Sequence, residues 1–532
     1  MASSLVTLLF LTSTFAPLSQ GYNIMVTTIG VSASQTLVMY RMADLLASRG
    51  HDVTVLNYVV LPNVKTAKLK FAKEKVIDFI DDDNVKETFA NVTREMPWEE
   101  KPPFPLGSFV TLFNGITEGC RKLVQDERFV AEQKAKKYDI AILHFVDFCT
   151  FGLTPHLGIQ STVWMSTAFL LDFMAWHSGV STPTSYVPSP QMVGSDELSL
   201  LERMQAVGVY SASVGVVDCL LLPAYDRIFS ERFGSDYPKL QETLGNTQLY
   251  FINSDPFLDY ARPILANFVY VGGFTMEKPE RLNEKWTKLV EGANEDGVVL
   301  FAMGSVANTT TMPTAFKLAL LDSFAKFPTY TFFMRIEGAF PEAERYKNVK
   351  VFDWIPQKDL LGHERVKAFV THGGFNSITE ATFIGVPLLV IPLFGDQPAN
   401  AKKIERKGTG VVVQKKDLGV DTVSAALDQV LNSKALRAKA KRLGQMIQKN
   451  PHKSVDLIVK WVEFLGEFET LDGLQPHSRK MSLITYFQLD VILLVHLALF
   501  LSAFVAWKLL KCCLARCCRR NANAKQKKLK KQ

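Results

Sequence analysis

The turn His372-Gly373-Gly374, at the end of a short apolar run, constrains the fold of this chain more than any other feature. Residues 367–371 alternate and then run apolar, as a short buried strand does. Two consecutive glycines then let the chain turn sharply into a helix and let backbone approach a ligand closely. The helix is expected to begin near Phe375, so its unpaired N–H groups and positive dipole end face whatever lies above the strand, which suits a diphosphate. Asn376 and Ser377 fall in the first turn. Glu380 stands one turn beyond Asn376 on the same face, placed to accept two hydrogen bonds from neighbouring hydroxyls such as those of a ribose. A second apolar strand, 386–392, leads into Gly395-Asp396-Gln397, a carboxylate and an amide at a strand's carboxyl end, where open α/β sheets bind ligands. Each residue alone also fits an ordinary βαβ unit with a glycine turn, a capped helix and a solvated glutamate. The ordered series along one rim points to a nucleotide.

Trp354-Ile355-Pro356-Gln357 precedes this unit, and with the run His372 to Ala381 and Phe394-Gly395-Asp396-Gln397 it resembles the signature of the UDP-glycosyltransferases, specifically the membrane-bound UDP-glucuronosyltransferases of animals. The likeness is dense over 349–413, and general features extend it over nearly the whole chain. It implies an α/β chain of the GT-B class, two Rossmann-like domains facing each other across a cleft, with the acceptor in the first and the UDP-sugar in the second. By matched position, Trp354 would stack on uracil, Gln357 would touch the ribose, and Glu380 would take the ribose hydroxyls. His372, Gly374 and the helix start carrying Asn376 and Ser377 would hold the diphosphate, and Asp396 and Gln397 would contact the sugar hydroxyls. Ser305 matches the family's loop over the phosphates, although a plain strand-to-helix turn also fits there.

With 532 residues and 47% hydrophobic content, the chain is long enough for two substantial cores. Residues 5–17 are apolar, and Ser19-Gln20-Gly21 supplies small residues for cleavage after Gly21, so 1–21 reads as a secretory signal, though without the usual basic flank. Residues 491–507 are apolar apart from His496 and Ser502, at the short end of what crosses a bilayer. Every charged residue after Trp507 is a cation, which places the tail in the cytoplasm. Removing those ten cations from the 60 Lys and Arg leaves fifty against 53 acids, so the formal +7 becomes −3. The basic balance therefore marks membrane orientation and contact with anionic lipid, not nucleic-acid binding. Lys528, Lys530 and Lys531 near the end resemble the dilysine retrieval signal of endoplasmic-reticulum membrane proteins.

Of seven cysteines, Cys512, Cys513, Cys517 and Cys518 lie in the tail, where they suggest S-palmitoylation better than a metal cluster, because no histidine accompanies them. Cys120, Cys149 and Cys219 are expected in the lumen, where an odd count leaves at least one thiol free, and no disulfide framework is expected. Asn91-Val92-Thr93 and Asn308-Thr309-Thr310 fit the glycosylation sequon.

The amino-terminal half opens as a βαβ unit, with a strand over 23–28, a helix over 36–47 and a strand over 53–56. Members of the family carry Ser-His in the loop between the first two, and that histidine is the general base toward an acceptor hydroxyl. This chain reads Ser34-Gln35, about nine residues before Ala43-Asp44, and glutamine cannot accept a proton at neutral pH. The family's second catalytic group, an aspartate, aligns with His144, and the nearest carboxylate is Asp147. His144 as replacement base, oriented by Asp147, is one reading; a satisfied structural histidine is the other. Residues 159–222, apolar and aromatic, either line a lipophilic acceptor pocket or form plain core. Asp81-Asp82-Asp83 reads as a solvated loop, and no metal is expected if a helix N-terminus and His372 neutralise the diphosphate.

The expected layout is thus a signal over 1–21, an acceptor domain over 22–275, a UDP-sugar domain over 276–465, a connector over 466–490, one transmembrane helix over 491–507 and a basic cytoplasmic tail over 508–532. The expected activity is transfer of a glucuronosyl or hexosyl group, with inversion, from a UDP-sugar co-substrate to a small lipophilic acceptor, in the endoplasmic-reticulum membrane with the domains lumenal. No prosthetic cofactor is expected, and a homo- or heterodimer stays open. Two alternatives stand beside this reading: a UDP-glucose or UDP-galactose transferase acting on a lipid or sterol, and a base-less pseudoenzyme that binds UDP-sugar or lipophile as a partner subunit.

Overall fold

Strands such as β1 (Asn23–Ile29) are rich in Ile, Met, Val and Thr and are buried at every position from Ile24 to Ile29. That is the composition of parallel strands whose crossover connections lay helices on both faces. The computed structural model describes residues 21–30, 32–60, 68–95, 97–98, 106–276, 279–304 and 307–530. They fall into two compact units, Met1–Gln475 and Pro476–Gln532.

The first unit contains two sheets. In one, β1 is joined by β2 (Asp52–Val59), β3 (Lys73–Asp78), β4 (Ile140–His144), β5 (Ser161–Ser166), β6 (Leu249–Ile252) and β7 (Phe268–Tyr270), in the order β3-β2-β1-β4-β5-β6-β7. The other holds β8 (Gly297–Ala302), β9 (Tyr330–Arg335), β10 (Val349–Phe352), β11 (Val366–Thr371), β12 (Leu388–Val390) and β13 (Gly410–Val412), in the order β10-β9-β8-β11-β12-β13. All pairings are parallel, for example Asn23 opposite Asp52 and Phe369 opposite Leu388. Both orders run outward from the first strand and then reverse to the fourth, the doubly wound Rossmann arrangement. The α/β expectation holds in both halves.

Each sheet has an apolar core on either face. The helix Phe375–Ile384 is closed by Gly385 in the left-handed conformation, φ 90°. There a Cβ would sit 3.0 Å from Lys441 Cα, and a Cβ on Gly444 would sit 2.8 Å from Thr382 O, so these two glycines let the helix Lys434–Gln448 lie close against the first.

Three expectations need correction. The helix Ser454–Phe468 buries Ile458, Val459, Val462 and Leu465 against the first sheet, so the chain has already left the second domain well before residue 465. Cys120 and Cys149 form a disulfide, and Cys219 is free. The pair ties the helix Leu106–Gln125 to the helix Phe148–Leu157 beneath β4, a contact between distant segments that cysteine parity alone does not reveal. Finally, the helix following β1 spans Ala33–Ala47, a turn earlier than expected, which puts Gln35 in its first turn rather than in a loop.

Among the described residues, two helical runs are long and apolar enough to cross a membrane, Leu200–Phe233 and Leu489–Asn523. The first belongs to the amino-terminal domain, since Leu222, Tyr225, Ile228 and Phe229 are core residues there. The second lies in one helix, Leu489–Leu529, that continues without interruption through the basic tail. The expected signal, apart from Gly21, and Ser305 lie outside the described residues.

Candidate active site

Ligands of doubly wound sheets bind beyond the carboxyl ends of the strands, where the strand order reverses. In the second sheet that point lies between β8 and β11, and it is flanked by Gly304 and by His372-Gly373-Gly374. The His372 ring is clamped between glycines: a Cβ on Gly304 would sit 2.5 Å from His372 Nε2, and one on Gly374 2.3 Å from it. Gly304 has φ +77° and Gly373 φ +82°, so the turns on both sides use backbone that other residues adopt at a cost. Burial, and then the nearby Arg335 guanidinium, push the His372 pKa down to about 4. The imidazole is therefore neutral at physiological pH. Its Nδ1 lies 3.3 Å from the Thr371 hydroxyl; with that hydroxyl donating to Nδ1, Nε2 carries the proton and becomes a donor.

Directly after this turn the helix Phe375–Ile384 presents its free N–H groups, with Asn376 half-buried and Ser377 buried in the first turn. One turn on, Glu380 Oε2 accepts a hydrogen bond of 2.7 Å from Gln357 Nε2. Burial raises the Glu380 pKa, an effect opposed by the Gln357 bond and by Arg41 and Lys358. Trp354 stands three residues before Gln357 with 65% of its surface exposed. An indole so open is no part of a core, which favours a platform for a planar ligand.

Asp396 and Gln397 open the helix Gln397–Lys407. Gln397 is buried, and its Oε1 accepts from the N–H groups of Leu393 at 2.9 Å and Phe394 at 3.1 Å, leaving only its amide N–H groups for a ligand. The Asp396 carboxylate accepts from Asn400 Nδ2 at 2.8 Å, and the same Nδ2 lies 3.1 Å from Gly373 O. Desolvation by the surrounding protein raises the Asp396 pKa, opposed by the Asn400 bond and by Lys403, although the residue keeps access to solvent. Asn400 thereby joins the Gly395-Asp396-Gln397 loop to the glycine turn. Sequence reasoning missed it, although its place one turn after Asp396 on a helix was a usable signal. Arg335 is a neighbour of the turn as well. At the end of β9 it donates to Gly304 O at 3.1 Å and to Glu337 Oε1 at 3.0 Å.

In the first sheet the strand order reverses between β1 and β4, which gathers Gln35, His144 and Asp147 at one end of the sheet. Gln35 Oε1 is buried without a partner. His144 is fully buried, neither ring nitrogen has a partner, and burial pushes its pKa down to about 3. Asp147 does not orient it. Instead Asp147 caps the helix Phe148–Leu157, accepting from Thr150 N at 3.0 Å, and burial raises its pKa against the influence of Thr27 and Thr150. No hydrogen bond joins His144 to Asp147: the cap uses Asp147 Oδ1, and neither ring nitrogen of His144 has a partner. A histidine with so low a pKa is a weak base, and Gln35 is none. Unpartnered buried polar atoms of Gln35, His144 and Asp147 remain, and such atoms call for an explanation.

The candidate glycosylation sites differ in setting. Asn91 is exposed on the helix Asp83–Glu95. Asn308 is half-buried, its Oδ1 accepting from Thr310 N and its carbonyl oxygen from Trp98 Nε1.

Two Rossmann-type sheets in succession are the fold of the GT-B class of glycosyltransferases. The solved structure of Os79 from O. sativa shares the fold at a TM-score of 0.56 and 16% identity, covering 82% of this chain and 99% of that one. The chain belongs to the UDP-glucoronosyl and UDP-glucosyl transferase family, whose sequence profile matches residues 24–528. It is similar to UDP-glucuronosyltransferase 3A1 of Xenopus laevis, 27% identical over 92% of this chain and 93% of the relative. It is similar as well to the 2-hydroxyacylsphingosine 1-beta-galactosyltransferase of Homo sapiens, 30% identical over 71% of this chain and 69% of the relative. The protein is a UDP-sugar-dependent hexosyl- or glucuronosyltransferase, and a UDP-sugar and an acceptor are its substrates.

Proposed function

We propose that the protein transfers glucuronate from UDP-glucuronate to small lipophilic acceptors, with inversion, in the endoplasmic-reticulum membrane. The observation that carries the donor site is the His372 ring held between Gly304 and Gly374 beside the free N-terminus of the helix Phe375–Ile384. In this reading Trp354 stacks on uracil, Gln357 and Glu380 hold the ribose, and Asn376, Ser377 and His372 take the diphosphate. A diphosphate stabilised by backbone N–H groups and an imidazole N–H needs no metal or prosthetic group to leave. Asp396 and the Gln397 amide N–H groups orient the sugar, and the acceptor attacks C1 from the side of Gln35 and His144.

The acceptor side favours nucleophiles that need no base. Removing a proton from an alcohol during attack contributes on the order of 100- to 10,000-fold, whereas an amine has a free lone pair. The exposed apolar residues Leu200, Leu201, Met204 and Val207 on the helix Leu200–Val216 suit lipophilic acceptors delivered from a bilayer. The continuous helix Leu489–Leu529 with its cationic end supports a single span, a cytoplasmic tail and lumenal domains, and Asn91 is the sequon open to a glycan.

A second reading, hexosyl transfer to a lipid, is favoured by the human relative named as an acylsphingosine galactosyltransferase. Membranes carrying the protein, offered UDP-glucuronate, UDP-glucose or UDP-galactose with phenol, arylamine and ceramide acceptors, separate the two by UDP release, with Asp396→Ala as control. Release with UDP-glucuronate and arylamines supports the first reading. Release confined to a hexose donor and ceramide replaces it, and UDP binding without turnover in any combination marks a binding protein.

A further inference from the structure

We propose that Cys512, Cys513, Cys517 and Cys518 carry long-chain fatty acyl groups in thioester linkage. All four thiols are free and exposed on the helix Leu489–Leu529. The apolar run of that helix ends at Trp507, where the Lys508 and Lys511 ammonium groups lie 5.6 and 4.2 Å from the centroid of the indole and Lys508 lies 5.4 Å from that of Phe504. Aromatic rings with lysines laid over them on the polar side are the pattern of a bilayer interface. At about 1.5 Å per residue, Cys512 stands roughly 8 Å and Cys518 roughly 16 Å beyond Trp507 along the axis. The thiols therefore lie at and just outside the headgroup layer, within reach of an acyl chain anchored in the hydrocarbon.

The surrounding charge selects the acyl donor. Lys508, Lys511, Arg516, Arg519 and Arg520 interleave with the cysteines and no acid accompanies them, so an anionic acyl-coenzyme A is drawn to the same turns. The cysteine sulfur, as thiolate, attacks the thioester carbonyl carbon of the acyl-coenzyme A. The bond from that carbon to the coenzyme sulfur breaks, and the coenzyme leaves as a thiol carrying the equivalent of the proton the cysteine gave up. No oxidant or reductant is consumed. A metal site does not compete, because among the described residues no group of three or more His, Cys, Asp or Glu gathers to hold one. Acyl chains at the cytoplasmic end of the span add to the anchor that the helix itself supplies.

The proposal rests on the cytoplasmic placement of the tail, which protease accessibility in sealed microsomes reads separately. Full-length protein expressed in animal cells is labelled with alkyne-tagged palmitate and then treated with hydroxylamine, with modified peptides of the unaltered chain mapped by mass spectrometry. Hydroxylamine-released label on peptides within 512–518, lost by at least tenfold in the variant with all four residues changed to serine and kept in Cys219→Ser, is the expected result. Label elsewhere only, no label on a tail that protease reaches, or these cysteines recovered as disulfides between copies would overturn it. A tail shielded from protease and unlabelled overturns both the proposal and the placement.

Discussion

Lys403 and Asp259 form a buried ion pair of 3.0 Å that joins the two Rossmann domains. Lys403 lies on the helix that begins at Asp396 and Gln397, and its ammonium also sits 3.0 Å from the ring centroid of Phe169, a residue of the amino-terminal domain. Phe169 in turn meets Phe375, the first residue of the other donor helix, edge to face at 4.9 Å. Arg406 and Lys407 of the same helix reach Asp196, Glu197 and the Asp259 carbonyl. The helices Phe375–Ile384 and Gln397–Lys407 at the end of the second sheet are thus both fastened to the amino-terminal domain at this joint.

Removing one member of such a pair strands a charge away from water, at a cost of about 3 to 5 kcal/mol. Lys403→Met is therefore expected to lower the thermal unfolding midpoint markedly, and the double change Lys403→Met with Asp259→Leu is expected to recover most of the loss. Differential scanning fluorimetry checks both. Equal midpoints for the single and double variants would show that the pair itself is not what stabilises the joint.

The glycines around His372 give a second test. Gly374→Ala puts a methyl group 2.3 Å from Nε2 and Gly304→Ala one 2.5 Å from it, so the ring must shift out of its clamp. UDP affinity is expected to fall tenfold or more in either variant by calorimetric titration. Gly50, just past the helix Ala33–Ala47, has open space at its Cβ and φ +95°, so Gly50→Ala serves as a control for strain alone. Unchanged UDP affinity in both site variants would remove His372 from the donor site.

The strand–turn–helix around His372 was legible in sequence because its signals are local: an apolar strand, glycines at the turn, and polar residues spaced along one helix face. The start of the helix at Phe375 needed only that pattern. What stayed hidden depends on partners far along the chain. Nothing near Ile458 says that its helix returns to the first sheet, and nothing near Phe169 says that it packs against Phe375. Asp147 shows a different limit. Asp147 followed three residues later by Thr150 is a local capping pattern, and in the fold Asp147 Oδ1 takes that cap while neither His144 nitrogen has a partner.

Acid is expected to destabilise the fold through its buried histidines. His144 and His372 have pKa values pushed down to about 3 and about 4 from an ordinary 6.5. Below pH about 6.5 the unfolded chain takes up protons that the fold excludes, so stability is whole above that pH and falls until the folded values are reached. Asp147, whose pKa is raised, works oppositely, since its buried carboxylate costs stability as pH rises through its ordinary range. The His144 contribution is on the order of 3 to 5 kcal/mol. Unfolding midpoints followed from pH 7.5 to 4.5 should drop less steeply in His144→Leu than in the unaltered chain. Parallel curves would show that His144 is solvated and titrates normally.

Gln35→His is the change that tests the acceptor side most directly. Gln35 sits in the first turn of its helix with Oε1 buried and unpartnered, at the same sheet end as His144 and Asp147. An imidazole of similar reach there can take the proton of an attacking phenol, a contribution of about 100- to 10,000-fold for a well-placed base. An amine acceptor has no such need. The expected result is a rise in turnover with phenols of at least tenfold and little change with arylamines, measured as UDP release at saturating donor. A comparable rise with both acceptors would mean that the histidine acts by packing rather than as a base. A fall with both would place Gln35 as a necessary hydrogen-bonding contact to the acceptor, and the slow step for phenols would then lie elsewhere than in proton removal.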